Sequence, residues 1–148
     1  MSEMREHLAR LYAELGQALL KPPEEQEAAI EYYRLFFNPQ GTPCPLWQSV
    51  WEKEEGKPPQ LFGEAHHRAL GWYRRYGFEP AAKNEPADHL GLLLLFYAKL
   101  LADGEPAEVL EKFEHEHLRW AEQFVAKLKA EARHPQFQQL AERLDENL

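Results

Sequence analysis

Apolar residues fall along this chain at three- and four-residue steps, except in one stretch where they scarcely pause. From Leu90 to Leu101 only Gly91 and Lys99 interrupt an apolar and aromatic run. A helix that is apolar on all sides has no face for water, so other elements must enclose it. The run is shorter than the roughly 20 residues a bilayer crossing needs, so no stable membrane insertion is expected. Just upstream, Pro86 has a fixed φ and no N–H, which suits a first helical turn, and Glu85 before it is pushed out of the α region. The pattern therefore predicts a central buried helix over about Pro86–Leu101.

The other elements read as amphipathic helices. Met4, Leu8, Leu11, Leu15, Ala18 and Leu19 mark a first helix, with Ser2 as N-cap and Pro22-Pro23 as its stop. A second spans about Glu24 to Phe37, with Ala28, Ala29, Tyr32, Leu35 and Phe36 on its apolar side, and the Asn38-Pro39-Gln40-Gly41 turn ends it. Trp47 and Trp51, four apart after a Pro-rich loop, share one face of a short helical turn. Ala65, Ala69, Trp72, Tyr73 and Tyr76 line another helix, for which Gly77 is a C-terminal cap. The longest periodic stretch runs from Val109 through Phe113, His117, Trp120 and Leu128 to His134, where Pro135 breaks it. A last helix carries Phe137, Leu140, Ala141, Leu144 and Leu148 on its buried side. No segment alternates with a period of two. The expected class is all-α, one helical bundle over residues 1–148 around the central helix.

Composition narrows the function. A chain of 148 residues with 44% hydrophobic and 12% aromatic residues can close a packed core. Asp plus Glu outnumber Lys plus Arg 25 to 17, a net charge of −8, which argues against a nucleic-acid partner and suits a cationic one. A single cysteine, Cys44, excludes an internal disulfide and points to a reducing compartment. The start, Met1-Ser2-Glu3-Met4-Arg5-Glu6, has neither a basic n-region nor an apolar h-region, so a cytoplasmic location is expected.

Little in the sequence supports catalysis. His66-His67 and His115-x-His117 set their side chains about 100° and 200° apart around a helix, whereas metal ligands on one face need i,i+3 or i,i+4. Cys44 has no neighbouring base, and the glycines form no phosphate loop. No catalytic residue, metal or cofactor is expected. Asp88-His89 admits two readings. In one, Asp88 is the third residue of the central helix, satisfying its orphan N–H groups, and His89 is a rim residue. In the other, the pair contacts a ligand at the mouth of a groove. Trp47 and Trp51 read either as core or as the lining of such a groove, since they sit on a loop beside the bundle.

Several stretches resemble the TorD/DmsD-type cytoplasmic chaperones that serve molybdopterin oxidoreductases. They are Y-Y-R-L-F-F-N-P (Tyr32 to Pro39), P-C-P-L-W-Q-S-V-W (Pro43 to Trp51), L-F-G-E (Leu61 to Glu64), N-E-P-A-D-H-L-G (Asn84 to Gly91), E-H-L-R-W (Glu116 to Trp120) and H-P-Q-F-Q-Q-L (His134 to Leu140). Their shared order and spacing carry the likeness, and the DmsD-like branch is the closer.

The resemblance implies an all-helical fold without catalysis. It implies binding of the twin-arginine leader and apoprotein of an oxidoreductase subunit, held from export until its cofactor is loaded and folding is complete. The positions it marks for peptide binding are Trp47, Trp51, Glu85, Pro86, Asp88 and His89, with Leu35 and Phe36. A leader joins a cationic start to an apolar h-region, so its receptor needs carboxylates beside an apolar surface. On this expectation Asp88, with Glu85, meets the arginines, while the tryptophans, Leu35 and Phe36 cover the h-region. The alternative is a helical adaptor that binds a folded partner and recognises no leader.

Two departures from the family pattern matter. Only Lys21 to Glu31 separate the first helix from the Tyr32 match, where relatives carry a longer helical segment. One wall is then reduced, or a second copy supplies it, so a monomer or a helix-exchanged dimer is expected. The Glu116–Trp120 stretch also lacks a proline present in some relatives, which predicts a straighter helix there.

Overall fold

The structure is a computed structural model and describes residues 2–148; Met1 lies outside them. Eight α-helices follow in order: α1 Glu3–Leu20, α2 Gln26–Phe36, α3 Gln48–Trp51, α4 Glu64–Arg75, α5 Leu90–Ala102, α6 Ala107–Phe113, α7 Ala121–Glu131 and α8 Pro135–Asn147. A π-helical turn, Glu114–Leu118, joins α6 to α7. The fold is all-α, with one isolated β-bridge between Trp47 and His89 among the described residues.

Helix α5 is the enclosed element that the apolar run predicts. Ten of its residues are buried, and Leu95 and Lys99 are half-buried. Against it lies α1, which begins as expected: the Ser2 hydroxyl accepts the N–H of Arg5 at 3.2 Å. The two helices cross at a pair of glycines. A Cβ on Gly16 would stand 2.7 Å from the Gly91 carbonyl, and one on Gly91 would stand 2.8 Å from the Gly16 carbonyl. A glycine inside a helix costs about 1 kcal/mol relative to alanine, so the close contact of the two backbones is what recommends it here.

Helix ends follow local chemistry. Gly77 and Gly104 take φ of 72° and 73°, and each closes its helix with a Schellman pair of bonds. In α4 these are Phe78 N–H to Tyr73 O at 2.8 Å and Gly77 N–H to Arg74 O at 3.4 Å. In α5 they are Glu105 N–H to Leu100 O at 3.1 Å and Gly104 N–H to Leu101 O at 3.2 Å.

Two predicted elements are corrected. The central helix starts at Leu90 rather than Pro86, because the chain turns at Ala87-Asp88, closed by His89 N–H to Pro86 O at 3.1 Å, and His89 is held extended by its bridge to Trp47. Leu90 N–H donates to Leu46 O at 2.8 Å and Gln48 N–H to Asp88 O at 3.2 Å. The long periodic stretch is also not one straight helix. Arg119 N–H reaches back five residues to Glu114 O at 3.0 Å, and tighter three-residue bonds follow before α7 resumes. The widened turn lets His117, Leu118 and Trp120 all face inward, where all three are buried.

The helices outside this pair are tied by side chains. Tyr32 Oη donates to Leu19 O at 2.7 Å, joining α2 to α1. Glu31 of α2 accepts Arg34 Nε at 2.7 Å and the N–H groups of Arg133 and His134 at 2.6 and 2.9 Å. Arg34 also donates to Glu131 O at 2.7 Å. One buried carboxylate thus pins the α7–α8 corner to α2.

Candidate functional site

The Pro86–His89 segment is buried along its whole length, and almost every polar group in it has a structural duty. The N–H of Ala87 donates to His66 Nδ1 at 2.8 Å, and Tyr73 Oη donates to Ala87 O at 2.6 Å, so two side chains of α4 grip the loop. His89 is the N-cap of α5: its Nδ1 accepts the N–H of Gly91 at 2.9 Å. That acceptor role places the ring proton on Nε2, and burial pushes the imidazole down to about 4. His89 is therefore neutral near pH 7.

Asp88 caps a helix, though not the expected one. Its Oδ2 accepts the N–H of Ser49, near the start of α3, at 2.9 Å. Asp88 is fully buried, and its Oδ1 has no hydrogen-bond partner. It is thus neither the third residue of the central helix nor an open carboxylate.

The four-residue helix α3 is the junction of the site. Gln48 Nε2 donates to Glu116 O at 2.8 Å and to Glu52 Oε1 at 2.9 Å, which fixes the orientation of its amide. Gln48 Oε1 then accepts from His117 Nδ1 at 2.8 Å, leaving His117 Nε2 an unprotonated acceptor. That atom, Asp88 Oδ1 and Ser49 Oγ are buried and unpartnered, and all three belong to α3 or to residues bonded to it. Burial also lowers His117 to about 4, aided by the Arg68 charge.

Trp47 and Trp51 are half-buried. Trp47 stands edge-on to His89 and to Phe37, with ring centres 6.1 and 6.3 Å apart, and its Nε1 donates to Glu85 Oε1 at 3.4 Å. Trp51 donates to Pro45 O at 2.8 Å and packs edge-on against Phe124. Glu85 is half-buried, so a carboxylate and an indole share one patch of surface.

Leu35 and Phe36 do not join that patch. Both are fully buried in the core, so they cannot cover a bound peptide. The opposite face of the same helix carries exposed Ile30 and Tyr33, followed by Phe37 at its C-cap. The sequence reading missed these three because α2 is apolar on more than one side.

Open grooves lie elsewhere. One of about 310 Å³, between α3, α4 and the intervening loop, is walled by charged residues such as Glu52, Lys53, Glu64 and Arg68, and touches the site at Ser49. Another of about 630 Å³ runs between α1 and α8. Neither has Trp47, Trp51, Asp88 or His89 in its walls. Among the described residues, the side chains near enough to share a cation are Glu25, Glu27 and His134, whose ligand atoms lie within 4.8 Å. Glu25 and His134 already cap α2 and α8. Burial pushes the Cys44 thiol up to about 12, so it is no thiolate nucleophile near neutral pH. No helix of the described residues is long and apolar enough to cross a membrane.

Comparison with known proteins now decides the family. The model of the nitrate reductase delta subunit family matches residues 2–126. The chain belongs to this family. Within it, the chain is similar to the Tat proofreading chaperones DmsD. It is 32% identical over 126 residues to that of Salmonella typhi, covering 84% of this chain and 60% of the relative. It is 33% identical over 127 residues to that of Salmonella typhimurium, with the same coverage. The chain thus spans about 60% of the length of these curated relatives. A solved structure described as a candidate redox enzyme maturation protein from Archaeoglobus fulgidus has the same fold. Its TM-score is 0.67 at 25% identity, over 99% of this chain and 94% of that one. TorD/DmsD-like membership and the all-helical fold both stand.

Proposed function

We propose that this family member is a maturation chaperone acting in the cytoplasm. It binds the twin-arginine leader of a molybdopterin oxidoreductase subunit and holds the apoprotein from export until its cofactor is inserted and it has folded. Membership of the family and likeness to the Tat proofreading chaperones support the class of function. The single observation supporting the site is the Trp47–Glu85 pair, an apolar ring and a carboxylate on one half-exposed patch.

Glu85 is the natural partner for an arginine, whose planar fork can bond a carboxylate through two N–H groups. Trp47 and Trp51 offer apolar contact. Pro86, Asp88 and His89 act as positioning residues that fix the loop, and Leu35 and Phe36 belong to the core. Apolar contact supplies most of the affinity and charge sets orientation, giving a dissociation constant of about 1 μM.

Titration calorimetry with a twin-arginine leader tests the reading. Wild-type protein should bind it, and Glu85→Gln should weaken binding about tenfold with an unchanged helical circular dichroism spectrum. Absence of binding to the leaders of all the host's molybdoenzymes would instead favour an adaptor for a folded partner.

A further inference from the structure

Five of the eleven residues of α2 are buried, and one apolar face of it stays open. Ile30 and Tyr33 are 62% and 51% exposed, and Phe37, at the C-cap, is 39% exposed. Their spacing of three and four residues puts all three on one side of the helix. The rings then continue without a break: Tyr33 to Phe37 at 6.0 Å, Phe37 to Trp47 at 6.3 Å, and Trp47 to the Glu85 carboxylate through its indole N–H. Other large apolar side chains that stand exposed, Met4, Leu61, Phe62 and Leu148, are at the chain ends or on the loop before α4.

The uncommitted charge on α2 itself is acidic. Arg34 is the basic residue on α2, and it is committed to Glu31 and to the Glu131 carbonyl. Carboxylates stand at both ends, Glu85 by Trp47 and Glu27 one turn before Ile30. An apolar strip of i, i+3, i+7 residues with acidic ends matches one kind of ligand, a short apolar helix with a cationic terminus.

We infer that the apolar segment of the leader lies as a helix along Ile30, Tyr33, Phe37 and Trp47, with its arginines at Glu85. The inference rests on the leader-binding reading and adds the surface that takes the h-region. It moves that contact from buried Leu35 and Phe36 to the outer face of the same helix. The direction follows from the loop end, where Trp47 and Glu85 meet, whereas Glu27 stands apart from any exposed indole.

The test is calorimetry with two synthetic peptides. Both begin with paired arginines; one continues with a Leu/Ala run and the other with a Ser/Gly run. Wild type should bind the first more tightly. The double variant Ile30→Gln, Tyr33→Gln should bind the Leu/Ala peptide at least about tenfold more weakly and the Ser/Gly peptide unchanged. Glu85→Gln should weaken both peptides, and Glu27→Gln neither. Both altered apolar residues are exposed, so the thermal midpoint of the double variant checks that the fold is intact.

If wild type binds the Leu/Ala peptide and the double variant binds it equally well, the stripe is not the contact, while leader binding stands. If wild type binds no arginine peptide and no leader, the leader-binding reading itself falls. A third result also overturns the stripe assignment: the double variant splits a dimer on sedimentation without changing peptide affinity, which would make this face a contact between copies.

Discussion

Among the described residues two carboxylates are buried, and they are employed differently. Glu31 has both oxygens occupied, by Arg34 and by the N–H groups of Arg133 and His134. Asp88 has only one occupied, by the N–H of Ser49, and its other oxygen meets no donor. A fully bonded buried charge is a staple, whereas a half-bonded one keeps part of its desolvation cost. The α2–α8 corner is therefore finished within the chain. The α3 junction, with Ser49 Oγ and His117 Nε2 also unpartnered, keeps unmet hydrogen-bonding capacity beside the candidate site.

Breaking each region should show that asymmetry. The largest effect is expected from Glu31→Ala, which strips the partner from Arg34 and from two backbone donors at once. A loss of about 3 kcal/mol in urea unfolding is expected, against about 2 kcal/mol for Glu31→Gln.

Acid should separate the regions along the pH axis. His89 and His117 are held near 4 by burial, below the ordinary 6.5, so the unfolded chain binds more protons than the folded one between those values. Their contribution is complete above about pH 6.5 and is lost as pH falls toward 4, on the order of 3 kcal/mol each. Burial alone would raise the Glu31 carboxyl, but the Arg34 bond and the two backbone donors outweigh it and hold it at about 2. The Glu31 contribution is present above about 4.5 and disappears only as pH approaches 2. Unfolding midpoints measured from pH 7.5 to 3 should thus fall first through the site. His89→Asn, which keeps a capping side chain, should flatten part of the slope between pH 6.5 and 4.

Asp88→Ala should have the smallest effect, about 1 kcal/mol for a lost cap on a four-residue helix. If it proved as costly as Glu31→Ala, the contrast between a finished and an unfinished carboxylate would be wrong.

The helices and their enclosure of α5 were legible because the run from Leu90 to Leu101 leaves no polar face, whatever its neighbours. Ser2, Pro22 and Gly77 were legible because capping and stopping are local. What could not be read were choices made by distant residues. Pro86 looks like the first residue of a helix, but the chain turns at Ala87-Asp88 and the bridge to Trp47 holds His89 extended before the helix begins. The π-turn has no local signal, since it arises from turning His117 toward Gln48. On α2, Leu35 and Tyr33 are both large and apolar, and only the placement of α1, α7 and α8 decides which of them meets water. The candidate motif around Asp88 stood out in sequence, yet most of its polar groups serve the fold. Glu31, whose partners lie about a hundred residues away, passed unnoticed.

The glycine crossing of α1 and α5 has a consequence for how the chain assembles. Those backbones touch across more than half of the polypeptide, so the first helix finds its seat only after α5 exists. During synthesis α1 must wait, amphipathic and unaccompanied, while everything between is made, and closing so long a loop is slow. A bulkier residue at position 16 or 91 would leave α1 with no seat to find.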